Sequence, residues 1–161
     1  MKRIISLIIL LNLGLIAFGQ KGDQYKFKQE IKIGKSENAQ KILDLWKDWE
    51  ENRLDRHNDY FADTMRAYFA SGGMVKGKAD FIKSGSEYRG KLTSVKSTVF
   101  AVTPLRRDDM NEDVVAIWGM DESQTSDGKT EMMQIHEIWW FNKDGKIVEM
   151  RQWEAKPGDM K

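Results

Sequence analysis

The sequence has no cysteine at all. Disulfides, a thiolate metal site, a cysteine nucleophile and a lipidated cysteine of lipoprotein type are excluded together. Histidine is scarce as well, with His57 and His136 alone. They stand far apart with no thiolate beside them, which makes a poor zinc set, so no metal and no cofactor is expected. Charge of one sign is not in excess either, since 26 basic residues face 25 acidic ones. The basic footprint of a nucleic-acid binder is therefore missing, and no nucleic-acid partner is expected. There is no internal repeat, no low-complexity tract and no sign of a second domain.

Long apolar runs are absent except at the start. Lys2 and Arg3 precede an apolar stretch that ends in Ala17-Phe18-Gly19, a small-x-small pattern before Gln20. This reads as a secretory signal peptide over residues 1–19. The other reading is an uncleaved anchor, but the run is shorter than the roughly 20 residues a spanning helix wants. The expectation is an exported protein, periplasmic or secreted, with no membrane attachment once the leader is cleaved. Losing Lys2 and Arg3 takes the formal charge from +1 to −1. Without disulfides the remaining chain of about 140 residues must be held by its core, which that length allows.

Residues 20–35 are polar and lysine-rich, either a mobile tether or a short edge strand through Tyr25, Phe27, Ile31 and Ile33. Ser36 is placed to cap a helix, and Ile42, Leu45, Trp46 and Trp49 fall on one stripe of it. A second helical piece is expected over about 55–62, a short strand over 65–70, and a third helix over about 79–88, weakened by Gly85. From Leu92 the pattern turns to strands, over 92–105, 114–120, 130–141 and 146–155. Asn142-Lys143-Asp144-Gly145 is a strong hairpin signal between the last two. Helices followed by antiparallel strands predict an α+β domain over 36–156, with helices on one face of a curved sheet and a short tail at 157–161.

That order carries two local motifs. One is Tyr60-Phe61-Ala62-Asp63 before a strand, followed by a Gly-x-x-x-Gly stretch from Gly73 to Gly77 and a helix. The other is Phe141-Asn142-Lys143-Asp144-Gly145-Lys146-Ile147 in the last hairpin. Together they resemble the NTF2-like superfamily, which includes SnoaL-like and ketosteroid-isomerase-like domains, over about 36–155. The resemblance implies a cone-shaped, cystatin-like fold. Three N-terminal helices would pack on a strongly curved, mostly antiparallel sheet, with a pocket at the open end and frequent dimerisation through the sheet. It does not choose among enzymes, adaptors and binding domains, so chemistry must be read from the site.

Alternation in the strand 130–141 puts Ile135, Glu137, Trp139 and Phe141 on one face and Gln134, His136, Ile138 and Trp140 on the other. Both faces are largely apolar. One is expected to cover the helices and the pocket, the other to meet a second copy, giving a homodimer through the sheet. Glu137 is the sharpest residue, because a carboxyl among Ile135, Trp139 and Trp118 bears a desolvation penalty that raises its pKa. Its position matches the protonated acid of the ketosteroid-isomerase oxyanion hole. The matching base position holds Phe69 and the tyrosine position holds Leu45, so that catalytic set is incomplete. The alternative role for Glu137 is a cross-strand ion pair with Arg151. His136 is a second acid–base candidate, or a satisfied interface residue. The resemblance also admits a pairing of His57 and His136 with an aspartate.

Three functions follow from these residues. The first is non-catalytic binding of a small hydrophobic or aromatic molecule, with Trp49, Phe69, Trp118, Ile135 and Trp139 lining a hollow between the last hairpin and the first helix. The second is an isomerase-, dehydratase- or cyclase-type enzyme using Glu137 or His136. The third is an envelope protein–protein module using the outer sheet face. The second is separated from the others by a complete acid–base set. The first and third are separated by where the exposed aromatics lie, at a pocket mouth or on the outer sheet.

Overall fold

A computed structural model describes residues 31–158 of the chain. The expected signal peptide over residues 1–19, most of the segment 20–35 and the end of the tail lie outside the described residues. Strand β1 (Lys32–Ile33) is the end of that segment. It pairs with Arg106 and Leu105, so these two residues form an edge strand.

Helix α1 (Ser36–Glu50) buries Ile42, Leu45 and Trp46, as its apolar stripe requires. Ser36 is its first residue and not its cap, because the preceding Lys35 takes the extended backbone. The helix stops where Asn52 adopts a left-handed φ of 53°. Arg89 then closes the helix end, donating to the carbonyls of Trp49 at 3.0 Å, Glu50 at 2.7 Å and Leu92 at 2.9 Å.

The second helical piece does not form. Residues 51–57 are turns, followed by a single 3-10 turn (Asn58–Tyr60). The stretch is rich in Asn, Asp and Arg, and Asp48 organises it from the helix. The fully buried Asp48 carboxylate lies 2.7 Å from His57 Nδ1 and 3.1 Å from the Arg56 guanidinium. These side-chain contacts draw His57 and Arg56 back onto the end of α1, which a continuing helix would carry away from it. Two α-helices therefore replace the three expected, and β2 (Phe61–Tyr68) starts earlier than its sequence suggested.

Strand β3 (Met74–Lys76) and helix α2 (Lys78–Arg89) follow. The long strands β4 (Leu92–Arg107), β5 (Glu112–Thr125), β6 (Thr130–Phe141) and β7 (Ile147–Ala155) complete the sheet. Strand order is β1-β4-β5-β6-β7-β2-β3. Every pairing is antiparallel except β2 with β7. Register shifts in β4 between Leu92 and Ser94 and between Val99 and Ala101 mark the bulges at which such a long strand bends.

The core lies between the helices and one sheet face. Ile42, Leu45 and Trp46 of α1 and Phe81 of α2 meet Phe61 and Met65 of β2, Val115 and Ile117 of β5, Trp139 and Phe141 of β6, and Ile147 and Met150 of β7. Gly119 sets how closely α1 approaches. A Cβ there would fall 2.5 Å from Cζ3 of Trp46 and 2.5 Å from the Thr98 carbonyl oxygen. The bare backbone lets the outer edge of the Trp46 ring rest on β5. Among the described residues, no helix is long and apolar enough to cross a membrane.

Candidate functional site

The inner face of β6 carries the alternation read from the sequence. Glu137, Trp139 and Phe141 are buried under the helices and Ile135 is half-buried against the core. Ile117, Glu137 and Gln152 stand in one row across β5, β6 and β7.

Glu137 is 6 % exposed and fully engaged. Its Oε2 accepts from Trp46 Nε1 at 2.8 Å and from Trp139 Nε1 at 3.0 Å. Its Oε1 accepts from Gln152 Nε2 at 3.0 Å. Burial pushes the carboxyl above its ordinary range, the three donors pull it back in part, and the nearby Asp121 charge adds to the rise. Among the described residues no cation pairs with it. The alternative pairing with Arg151 fails on register. Phe141 faces Ile147, and the ladder then shifts by one residue, so Arg151 faces Ile138 and Gln152 faces Glu137. Continued without that shift, the same ladder would have set Glu137 against Arg151. Arg151 lies instead on the outer face, bonded to Glu149 at 2.9 Å and held over the rings of Tyr68 and Trp140.

A second carboxyl repeats the arrangement one helical turn along. Asp121 Oδ2 accepts from Trp49 Nε1 at 2.9 Å, and its Oδ1 accepts from Ser97 Oγ at 2.6 Å. Burial raises this group too, against those two hydrogen bonds. Glu154 is raised by partial burial and then by the Asp121 charge. Trp46 and Trp49 thus use their indole N–H groups, three residues apart on α1, to fasten the helix to two carboxyls of the sheet. Asp121 and Gln152 escaped the sequence reading. The signal for Asp121 was there: it lies two and four residues beyond Gly119 and Ile117, on the same side of an alternating strand. Gln152 is placed by the one-residue shift, which no pattern announced.

The remaining expected residues scatter. Trp49 is half-buried, its ring 6.2 Å from that of Tyr88. Phe69 follows the end of β2 and packs on the core, and Leu45 is buried within it. Trp118 is not beside Glu137. It is opposite His136 in the ladder and so belongs to the outer face, 39 % exposed. His136 is there too, stacked on Trp118 at 4.7 Å and 16° and against Trp153 at 5.4 Å. Its Nε2 is buried with no hydrogen-bond partner. His57 is held by Asp48 on the helix side, so the two histidines do not share a site.

The side chains expected around a hollow between hairpin and first helix are largely buried against one another. Trp46 is 8 % exposed, Trp139 4 % and Ile117 0 %. An open depression of about 390 Å³ lies elsewhere, between β3 and α2, walled by Val75, Lys76, Lys83 and Glu87. Among the described residues, no cluster of three or more His, Asp or Glu is arranged to hold a metal ion.

The sequence model of the SnoaL-like domain matches residues 42–150. No curated protein matches the chain. An epoxide hydrolase of Mycobacterium tuberculosis, described as LEH-like, superposes with TM-score 0.61 at 10 % identity, over 74 % of this chain and 84 % of its own. The epoxide hydrolase/cyclase-like enzyme SalBIII, of pyran ring formation in salinomycin, gives TM-score 0.62 at 12 % identity, over 74 % and 92 %. An NTF2-like protein of unknown function from Cytophaga hutchinsonii gives TM-score 0.53 at 16 % identity, over 73 % and 98 %. At these identities the likeness is one of fold.

Proposed function

The chain belongs to the SnoaL-like domain family of the NTF2-like superfamily, and from that premise we propose that it is an exported, non-catalytic interaction domain that pairs with a second copy through the outer face of its sheet. The observation that carries this reading is the row Trp118–His136–Trp153, in register on three adjacent strands. Trp118 and Trp153 are 39 % and 47 % exposed, and Phe100 and Met132 stand open as well. Large exposed aromatics gathered on one face mark a contact surface. The row has like ends, which suits an isologous interface. A two-fold axis along β6 sets Trp118 of one copy against the partner's Trp153.

Sedimentation equilibrium tests the pairing. The wild-type protein is expected to dimerise at micromolar concentration, and Trp118→Ser combined with Trp153→Ser to leave a folded monomer. A wild-type monomer at every concentration rules the interface out.

The non-catalytic part rests on the carboxyls. Glu137 and Asp121 each have both oxygens occupied by protein donors, and His136 is on the other side of the sheet. General acid–base catalysis needs a group within hydrogen-bond reach of the substrate's proton, and these carboxyls spend their oxygens on Trp46, Trp139, Gln152, Trp49 and Ser97 instead. The similar epoxide hydrolases are enzymes, so the counter-test is direct. An epoxide-opening activity in the purified domain, lost in Glu137→Gln, would overturn this half of the reading.

Export is supported by the charged start, apolar stretch and small-x-small site at residues 1–19. Mass spectrometry of the protein from its native cells is expected to find Gln20 as the first residue. An intact Met1–Gly19 segment on the bulk of the protein would contradict it.

A further inference from the structure

We propose that the pairing of two copies is governed by pH through His136: the neutral imidazole lets the outer sheet faces join, and the protonated one drives them apart. This rests on the pairing proposed above and adds its regulation. His136 is the middle of the row, opposite Trp118 on β5 and Trp153 on β7. A two-fold axis along β6 exchanges the two ends of that row but returns β6 onto itself. His136 of each copy therefore stands on the axis, opposite its own counterpart. Any charge it carries is met there by the same charge.

The surroundings offer that charge no relief. The imidazole lies between two indoles, 4.7 Å from the Trp118 ring and 5.4 Å from that of Trp153. Its Nε2 is buried with no hydrogen-bond partner even in one copy. A neutral ring with its hydrogen on Nδ1 leaves Nε2 bare. A protonated ring carries a hydrogen on both nitrogens, and the one on Nε2 has no acceptor. Along β6 the outer-face neighbours are Gln134 and Ile138, both uncharged. Diagonally across on β7 is Arg151, a cation bonded to Glu149 at 2.9 Å. Arg66 of β2 lies beyond and bonds the same Glu149 at 2.8 Å. On β5 the first charge of the outer face is Glu122, further along the strand between Met132 of β6 and Lys96 of β4. Among the described residues, then, no carboxylate adjoins the imidazole on either strand beside it, and the one charged neighbour is of its own sign. In a single copy the part-exposed indoles leave water close to the ring. Pairing covers both indoles, excludes that water and sets two like charges against each other.

Sedimentation equilibrium at about pH 7.5 and about pH 5.5 brackets the value near 6.5 at which an imidazole ordinarily takes its proton. Near-ultraviolet circular dichroism at both pH values verifies the fold. If pairing admits only neutral rings, each copy takes up a proton on separating, and the dissociation constant should rise about 100-fold between the two conditions, reversibly. His136→Gln, uncharged throughout, is expected to pair with nearly the same constant at both, although it keeps His57. A wild-type dimer whose constant moves by less than about threefold overturns the pH control and leaves the pairing standing. A variant that keeps the wild-type response also overturns it, because the proton then goes elsewhere. A wild-type monomer at both pH values removes pairing and control together. Calorimetric dilution of the wild-type dimer in two buffers of different ionisation enthalpy needs no variant. It should show uptake of about one proton per dimer near pH 6.5, and no uptake overturns the proposal.

Discussion

Trp46→Ala is expected to cost the domain about 3–5 kcal/mol and to lower the thermal midpoint by on the order of 10 °C. The ring is 8 % exposed and lies between α1 and β5, so its removal leaves a cavity lined by Gly119, Ile117 and Glu137. The surroundings cannot close over it, because a sheet backbone forms one wall. The loss has a polar part as well, since Glu137 keeps two donors where it had three. Trp46→Phe separates the two parts. It restores most of the volume but not the N–H, and it should recover the larger share of the loss. Chemical denaturation of both variants measures the division. A cost below about 1 kcal/mol for Trp46→Ala would mean that the cone does not depend on this ring.

Glu137→Gln is expected to reverse its effect with pH. Burial raises the Glu137 carboxyl above its ordinary value of 4.5 in the folded protein. The stability that comes from its neutral form is therefore fully present below about pH 4.5, and it is lost as pH rises through the folded value. The lost increment grows at no more than about 1.4 kcal/mol per pH unit for one proton. Glutamine cannot ionise, and its carbonyl can still accept from both indoles while the Gln152 amide turns to suit. At acid pH the variant should be equal to wild type or weaker. Toward neutral and alkaline pH it should become the more stable of the two. Asp121 and Glu154, also raised by burial, titrate in both proteins and largely cancel in the difference. Parallel stability–pH curves for the two proteins would show that Glu137 does not hold its proton on folding.

Period-two and period-three-to-four patterns carried much of this fold into view. The stripe Ile42–Leu45–Trp46–Trp49 placed α1, and the alternation through 135–141 separated the two faces of β6 without saying which one turns inward. Asn142 to Gly145 located the last hairpin. The failures have local causes. Tyr60 and Phe61 looked helical because aromatic spacing says nothing about a buried Asp48 drawing His57 and Arg56 into turns. Arg151 was set against Glu137 because a bulge of one residue leaves no mark in composition. Trp118 was assigned to the wrong face for want of its strand's register: Ile117 and Trp118 are adjacent, apolar and indistinguishable until one is seen opposite Glu137. The site depends on pairings between distant segments, and a tryptophan read as grease proved to be a hydrogen-bond donor to a carboxyl. That is why the architecture was more legible than the chemistry.

The parallel pairing of β2 with β7 bears on how the chain is made. Strand β7 starts at Ile147 and sits between β6 and β2, so it joins the sheet's early and late halves. While the ribosome is still producing that last stretch, the segment β2–β3 has no neighbour to join and the tryptophans of α1 have no finished sheet to cover them. The neighbouring strands β4, β5 and β6 can pair before β7 is made, whereas β2–β3 gains its place in the sheet only once β7 lies beside β6.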